Sequence, residues 1–201
     1  MNRRTALALV PLLFVRPAFA MTEAEALKRV EDYFNAITTL KARFTQTDPD
    51  GTSHDGDLYI SRPGKMRLVY DPPSPILMVA DGTFLNYVDT KMKDTSSVAL
   101  GDTPAGLLLK QNLSFSDPSI KLGGVKFGAG TIEIAASMAK DPTAGKLTLV
   151  FTESPFEFKQ WRVLDAQRKE VVVTLFDAKT GLKLDEKLFR DDSRRQQRNR
   201  D

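Results

Sequence analysis

The sequence predicts a mainly β protein with few helices: a large curved antiparallel sheet forming an unclosed β-barrel with a helical lid. Three observations carry that expectation. Residues 58–82, LYISRPGKMRLVYDPPSPILMVADG, hold three runs in which apolar and polar residues alternate, closed in turn by Arg62-Pro63-Gly64, by Asp71-Pro72-Pro73-Ser74-Pro75 and by Asp81-Gly82. Such runs recur along the chain to a total of eleven or twelve, joined by tight loops that suit antiparallel neighbours. Only two segments carry helix signals, and a sheet of so many strands must curl. Its concave face then has to be filled by side chains, by a covering helix or by a ligand.

The elements follow in order. Residues 1–20 begin with Arg3 and Arg4, continue through an apolar run over 5–15 and end in Ala18-Phe19-Ala20, a small-x-small site. This reads as a Sec-type secretory signal peptide cleaved after Ala20, too short to span a bilayer, although the arginine pair also suits twin-arginine export. Thr22-Glu23-Ala24-Glu25 is a capping box. It opens a helix over about 23–37, with Leu27, Val30, Phe34, Ile37 and Leu40 at helical spacing. Strands are expected over 42–47, 57–61, 65–70, 76–80, 83–89 and, weakly, 95–100. Thr103 as N-cap and Pro104 in the first turn open a short lid helix that runs through Leu107, Leu108 and Leu109 to about Gln111. Strands over 120–127, 131–136, 146–152, 156–164, 170–176 and 182–189 complete the sheet.

Composition narrows the function. The chain contains no cysteine, which excludes disulfide support, thiol catalysis, a thiolate metal site and a lipid-accepting Cys after the leader. The mature chain is therefore expected to be soluble and periplasmic. Three of the 29 basic residues, Arg3, Arg4 and Arg16, fall in the leader, where no acid lies; the remaining 26 equal the 26 acidic residues. Such neutrality argues against a nucleic-acid partner. The mature residues are expected to form a single domain over 21–189 that acts as a monomer. The Arg-rich tail of 190–201, with Arg194, Arg195, Arg198 and Arg200, is expected to be solvated and disordered, the alternative being contact with anionic lipid or an acidic partner.

No enzyme signature is present. His54, the one histidine, sits in a polar loop between Ser53 and Asp55, and there is no Gly-x-Ser-x-Gly, His-Glu-x-x-His or phosphate loop. Asp48, Asp50 and Asp55 surround Gly51 without the closing Glu of a calcium loop and read as a hairpin turn. No metal or cofactor is expected. An apolar interior under a small lid suits an acyl chain instead, because each buried methylene is worth about 0.8 kcal/mol and needs no directional contact. A hydrolase is the weak alternative.

The order of residues in 58–82, a strand ending Arg-Pro, a second ending Tyr-Asp-Pro-Pro and a third ending Val-Ala-Asp-Gly, resembles the periplasmic lipoprotein carrier family, LolA. Leu40-Lys41-Ala42-Arg43-Phe44-Thr45-Gln46, Gly56-Asp57-Leu58-Tyr59-Ile60 and Thr103-Pro104 extend the resemblance, which covers roughly 27–175. It implies a lidded, unclosed barrel that binds the acyl chains of lipoproteins, receives them from an inner-membrane ABC transporter and hands them to an outer-membrane receptor. A LolA-like carrier of another apolar envelope molecule, such as a glycolipid or a pigment, is the alternative.

Arg62 matches the family arginine that holds the lid helices closed over the empty cavity. Its five donors suit helix-end carbonyls that lack intrahelical partners; the alternative is an exposed strand-end arginine. Met66 and Leu68 stand where many family members carry aromatics, and either line the cavity or fill ordinary sheet core. Leu58, Ile60, Ile76, Met78 and Phe84 carry the same two readings, as do the lid residues Leu107, Leu108 and Leu109. The chain departs from the family pattern where Asn86 replaces a Trp expected near Leu85. It departs again where Leu188-Phe189 runs into Arg190-Asp191-Asp192 without the usual further element.

Overall fold

The computed structural model describes residues 21–190; the expected leader and residues 191–201 of the expected tail lie outside them. Helix α1 (Glu23–Ala36) starts at the expected box: the Thr22 hydroxyl accepts the Glu25 N–H at 3.2 Å, and the Glu25 carboxylate accepts the Thr22 N–H at 2.8 Å. These bonds hold the Glu25 carboxyl below its usual range. The apolar spacing places Ala26, Val30 and Phe34 on the buried face. Leu40 does not continue that face, because the helix ends before the C-cap Ile37 and Leu40 already lies in the first strand, where period-two alternation also buries it.

Six strands follow as a meander: β1 (Thr39–Thr47), β2 (Ser53–Ser61), β3 (Lys65–Tyr70), β4 (Ile76–Asp81), β5 (Phe84–Asp89) and β6 (Asp94–Ala99). A 3-10 turn over Leu100–Asp102 and helix α2 (Pro104–Leu108) then lead through a loop to a second meander. This comprises β7 (Ile120–Phe127), β8 (Thr131–Met138), β9 (Gly145–Glu153), β10 (Phe156–Asp165) and β11 (Glu170–Thr180). All eleven strands form one sheet in the order β6-β5-β4-β3-β2-β1-β11-β10-β9-β8-β7. Each pairing is antiparallel, and β1 against β11 joins the two meanders. The outermost strands β6 and β7 do not pair, so the barrel is unclosed, as expected.

The expected twelfth strand over 182–189 is not formed. Gly181 takes φ +72° as β11 ends, and the Thr39 hydroxyl donates to the Leu182 carbonyl at 2.8 Å. Asp185 then accepts the Lys187 N–H at 2.9 Å and starts a 3-10 turn over Glu186–Phe189. A side chain that bonds its own local backbone competes with a sheet ladder. The turn packs on β3 and β4, where Arg67 donates to the Leu188 carbonyl at 2.9 Å and Lys65 pairs with Glu186. Arg67 and Lys65 alternate with Met66 and Leu68 along β3, so this strap lies on the outer face of the sheet.

One contiguous core lies on the concave face. α1 seats Tyr33 and Phe34 against Phe151, Phe156 and Phe158, with Phe34 5.0 Å from Phe158 and Tyr33 5.2 Å from Phe151 in edge-to-face geometry. On β1 the Phe44 ring lies over Gly56, its partner on β2. A Cβ there would stand 2.6 Å from the ring and 2.3 Å from the Val69 carbonyl. Gly56→Ala should therefore lower the unfolding free energy by about 1–3 kcal/mol through overpacking, although alanine ordinarily gains about 0.5–1 kcal/mol over glycine inside a strand. Denaturant titration checks the sign; a stabilised variant would show that the ring can move aside.

Candidate functional site

The chain leaves β2 at Arg62, and the guanidinium turns into the helical layer. Its Nε donates to the Lys110 carbonyl at 2.9 Å, and Nη2 donates to that carbonyl and to Gln111 O at 3.4 Å. Nη1 donates to the Phe34 carbonyl and to Ile37 O at 3.5 Å. The guanidinium carbon sits 5.7 Å from the Phe34 ring centre. One side chain with a fork of donors thus serves carbonyls at or just beyond the C-terminal ends of both helices, where intrahelical partners are lacking. Burial pulls the Arg62 pKa below its ordinary value, yet a guanidinium keeps its charge. The turn backbone adds a bond from Gly64 N–H to the Leu109 carbonyl at 2.9 Å.

The helical layer is tied together by side chains of α1. Asn35 exchanges two hydrogen bonds with the Leu113 backbone, at 2.9 and 2.8 Å, and Glu31 accepts the Phe115 N–H at 2.6 Å. Within the loop the Lys110 ammonium lies 2.7 Å from Asp117, whose carboxyl it helps to lower to about 2, and 2.8 Å from Ser119. Thr103 caps α2 by accepting the Gly106 N–H at 3.3 Å, and α2 ends at Leu108, short of the expected Gln111.

Between this layer and the sheet lies a cavity of about 390 Å³, a size within the range of about 300–1,000 Å³ of small-molecule sites. Of the candidate residues, Met66, Leu68, Ile76 and Met78 line it. Leu58, Ile60, Leu107, Leu108 and Leu109 are buried in the adjoining core and do not line it. Phe84 lies on the outer face, 38% exposed. The register explains this: Leu85 stands opposite Ala80 and Tyr87 opposite Met78, so the odd-numbered residues of β5 face inward.

Sequence reasoning did not name the opposite wall, formed by Trp161 and Val163 of β10 and Val171 and Val173 of β11. Their alternation was visible, but the β1–β11 pairing that brings them across from Met66 and Met78 was not. Thr103, Pro104 and Ala105 of the lid also border the space. At its far end Gln46, Asp48, His54 and Ser74 supply polar groups; His54 lies at the start of β2, about 25 Å along the strand from Arg62. Among the described residues, no group of three or more His, Cys, Asp or Glu could hold a metal ion, and no helix is long and apolar enough to cross a membrane. The chemistry offered is that of an apolar container.

If Arg62 fastens both helices, Arg62→Leu should keep the sheet intact while loosening the layer above it. Charge-assisted hydrogen bonds are each worth about 1.5–3 kcal/mol, so hydrogen exchange at lid amides such as Leu109 and Leu113 should quicken by at least about tenfold. The amides of β1 and β11 should keep their protection. Unchanged exchange in the lid would leave Arg62 as an ordinary strand-end arginine.

The profile of the family described as "Outer membrane lipoprotein carrier protein LolA" matches residues 35–192. An outer-membrane lipoprotein carrier protein of Dechloromonas aromatica is 30% identical over 159 residues, covering 74% of this chain and 71% of its own. One from Nitrosomonas europaea is 33% identical over 99 residues, 45% of this chain, and the match spans only 48% of that relative's length. Among solved structures, a DUF1329 family protein from Desulfovibrio piger superposes with a TM-score of 0.53 over 84% of this chain and 96% of its own; at 11% identity that likeness concerns the fold alone.

Proposed function

The chain belongs to the LolA family of outer membrane lipoprotein carriers, and from that premise we propose that it is a periplasmic carrier that binds the acyl chains of lipoproteins in its cavity and shuttles them from the inner to the outer membrane. The observation that carries this reading is an apolar cavity beneath a lid that one arginine fastens through helix-end carbonyls. Met66, Leu68, Ile76 and Met78 face Trp161, Val163, Val171 and Val173 across it, and flexible thioethers among branched side chains fit an irregular greasy ligand. The buried leucines of α2, Leu107 and Leu108, would add apolar wall when the lid lifts. The protein has no catalytic role in this reading; it takes cargo from an inner-membrane ABC transporter and gives it to an outer-membrane receptor.

Arg62 drives the cycle. In the empty state its bonds hold the lid down, and loading must break them, so acyl burial is offset by the lost latch and the cargo stays releasable. At about 0.8 kcal/mol per methylene, an acyl chain supplies more than enough to open it.

Two measurements test the reading. Native mass spectrometry with a diacylglyceryl peptide should show one peptide per protein, and the deacylated peptide should bind at least about a hundredfold more weakly; equal affinity would mean that the polypeptide is recognised and would end the lipid reading. Arg62→Leu should load at least as readily as the wild type, yet transfer its cargo to acceptor membranes at least about tenfold more slowly, because the empty closed state has lost its bonds while the loaded state has lost little. Equal transfer rates would remove Arg62 from the cycle.

A further inference from the structure

The cavity wall turns polar at its far end, where a chain of hydrogen bonds finishes on a carboxylate. The Tyr70 hydroxyl donates to Gln46 Oε1 at 2.7 Å, and Gln46 Nε2 donates to Asp48 Oδ1 at 2.7 Å. His54 Nε2 lies 3.4 Å from Asp48 Oδ2. Tyr70 is 7% exposed, whereas the Asp48 side chain is 29% exposed, so the chain runs from the interior toward the opening. Among the described residues that line the cavity, Asp48 is the only carboxylate, and there is no lysine or arginine to balance it. Its Oδ1 is engaged by Gln46. Among the described residues, its Oδ2 meets the long approach of His54 and keeps room for another donor. Burial, then the Asp48 charge, raises the Tyr70 hydroxyl pKa; burial, then Asp89 and Asp48, raises that of Tyr87 across the space.

An apolar wall cannot distinguish one acyl chain from another by its head, so any such choice has to come from this polar end. We propose that Asp48 selects cargo by the group that joins the acyl chain to its head, accepting a hydrogen bond from a neutral N–H or O–H donor and rejecting an anion. The proposal rests on the acyl-carrier reading of the same cavity. An anionic head beside Asp48 would place like charges together at a part-buried site, which is costly for both. An amide there would meet a carboxylate oxygen held in place by the bond that Gln46 gives its neighbour. The cargo class that fits is an acyl chain next to an amide or hydroxyl, with negative charge held away from the mouth.

The test uses the full mature chain and three probes with one hydrocarbon tail: palmitate, palmitamide and methyl palmitate. Binding is read by displacement of an apolar fluorophore at about pH 8, above the range in which imidazoles ordinarily charge. The wild type should bind palmitamide at least about tenfold more tightly than palmitate, with methyl palmitate between them. Asp48→Asn should bring palmitate to within about twofold of palmitamide, and Asp48→Glu should keep the preference. Palmitate binding as tightly as palmitamide to the wild type would overturn the proposal, whatever becomes of the variants. A preference that survives unchanged in Asp48→Asn would overturn it as well. Equal binding of all three probes would leave the acyl-carrier reading standing while removing Asp48 from it; no binding by any of them would end both.

Discussion

An eleven-stranded sheet that curls without closing leaves a concave apolar face larger than two short helices can fill, and most of this structure answers that constraint. α1 seats Phe34 and Tyr33 among the rings of Phe151, Phe156 and Phe158, so one region of the concavity becomes true core. α2 is only five residues long and cannot do the same elsewhere. The wall between Met66 and Val173 is therefore left bordering a cavity. The cavity is what remains when a sheet of this breadth is given so little helix.

Among the described residues, one side chain, Arg62, reaches the ends of both helices. Helix C-termini present carbonyls with no partner inside the helix, and the ends of α1 and α2 converge where the β2–β3 turn places Arg62. A lysine in that place could hold one acceptor site well but not two helix ends at once, since its donors radiate from one atom. The arrangement is strong in sum yet built of replaceable contacts, because water can satisfy the same carbonyls.

Much of this was legible in the sequence because the patterns that encode it are local. Period-two alternation between Pro- and Gly-rich turns gave the strands, and Thr22 with Glu25 and Thr103 with Pro104 marked both helix starts. Local periodicity misled in two places. Residues 182–189 read as a strand, but Asp185 and Gly181 turn the chain onto the outer face. Leu40 shared the spacing of the α1 stripe and lies in β1. Phe84 shows a different limit, since alternation along β5 allows two faces and only the pairing with β4 decides that Leu85 and Tyr87 point inward. The same holds for Trp161 and Val173, whose place opposite Met66 depends on the pairing of β1 with β11, strands far apart in the chain. Whether an inward apolar residue is core, like Leu58, or cavity wall, like Leu68, depends on what stands across from it. No single-sequence pattern carries that.

The two unpaired edge strands, β6 and β7, are consecutive in the chain and joined by the lid segment itself. In a closed barrel, any increase in girth must break rungs of the backbone ladder around the circumference. Here the seam is already open, and the chain that crosses it is held by side-chain contacts, a few helix-end carbonyls and single backbone bonds such as Gly64 to Leu109. Parting that seam would cost these hydrogen bonds and dispersion contacts of about 0.1–0.2 kcal/mol per atom pair, but no strand pairing. The cavity is thus bordered by one seam of about twenty residues, and the side chain that reaches across to it, Arg62, comes from the opposite part of the chain, the β2–β3 turn.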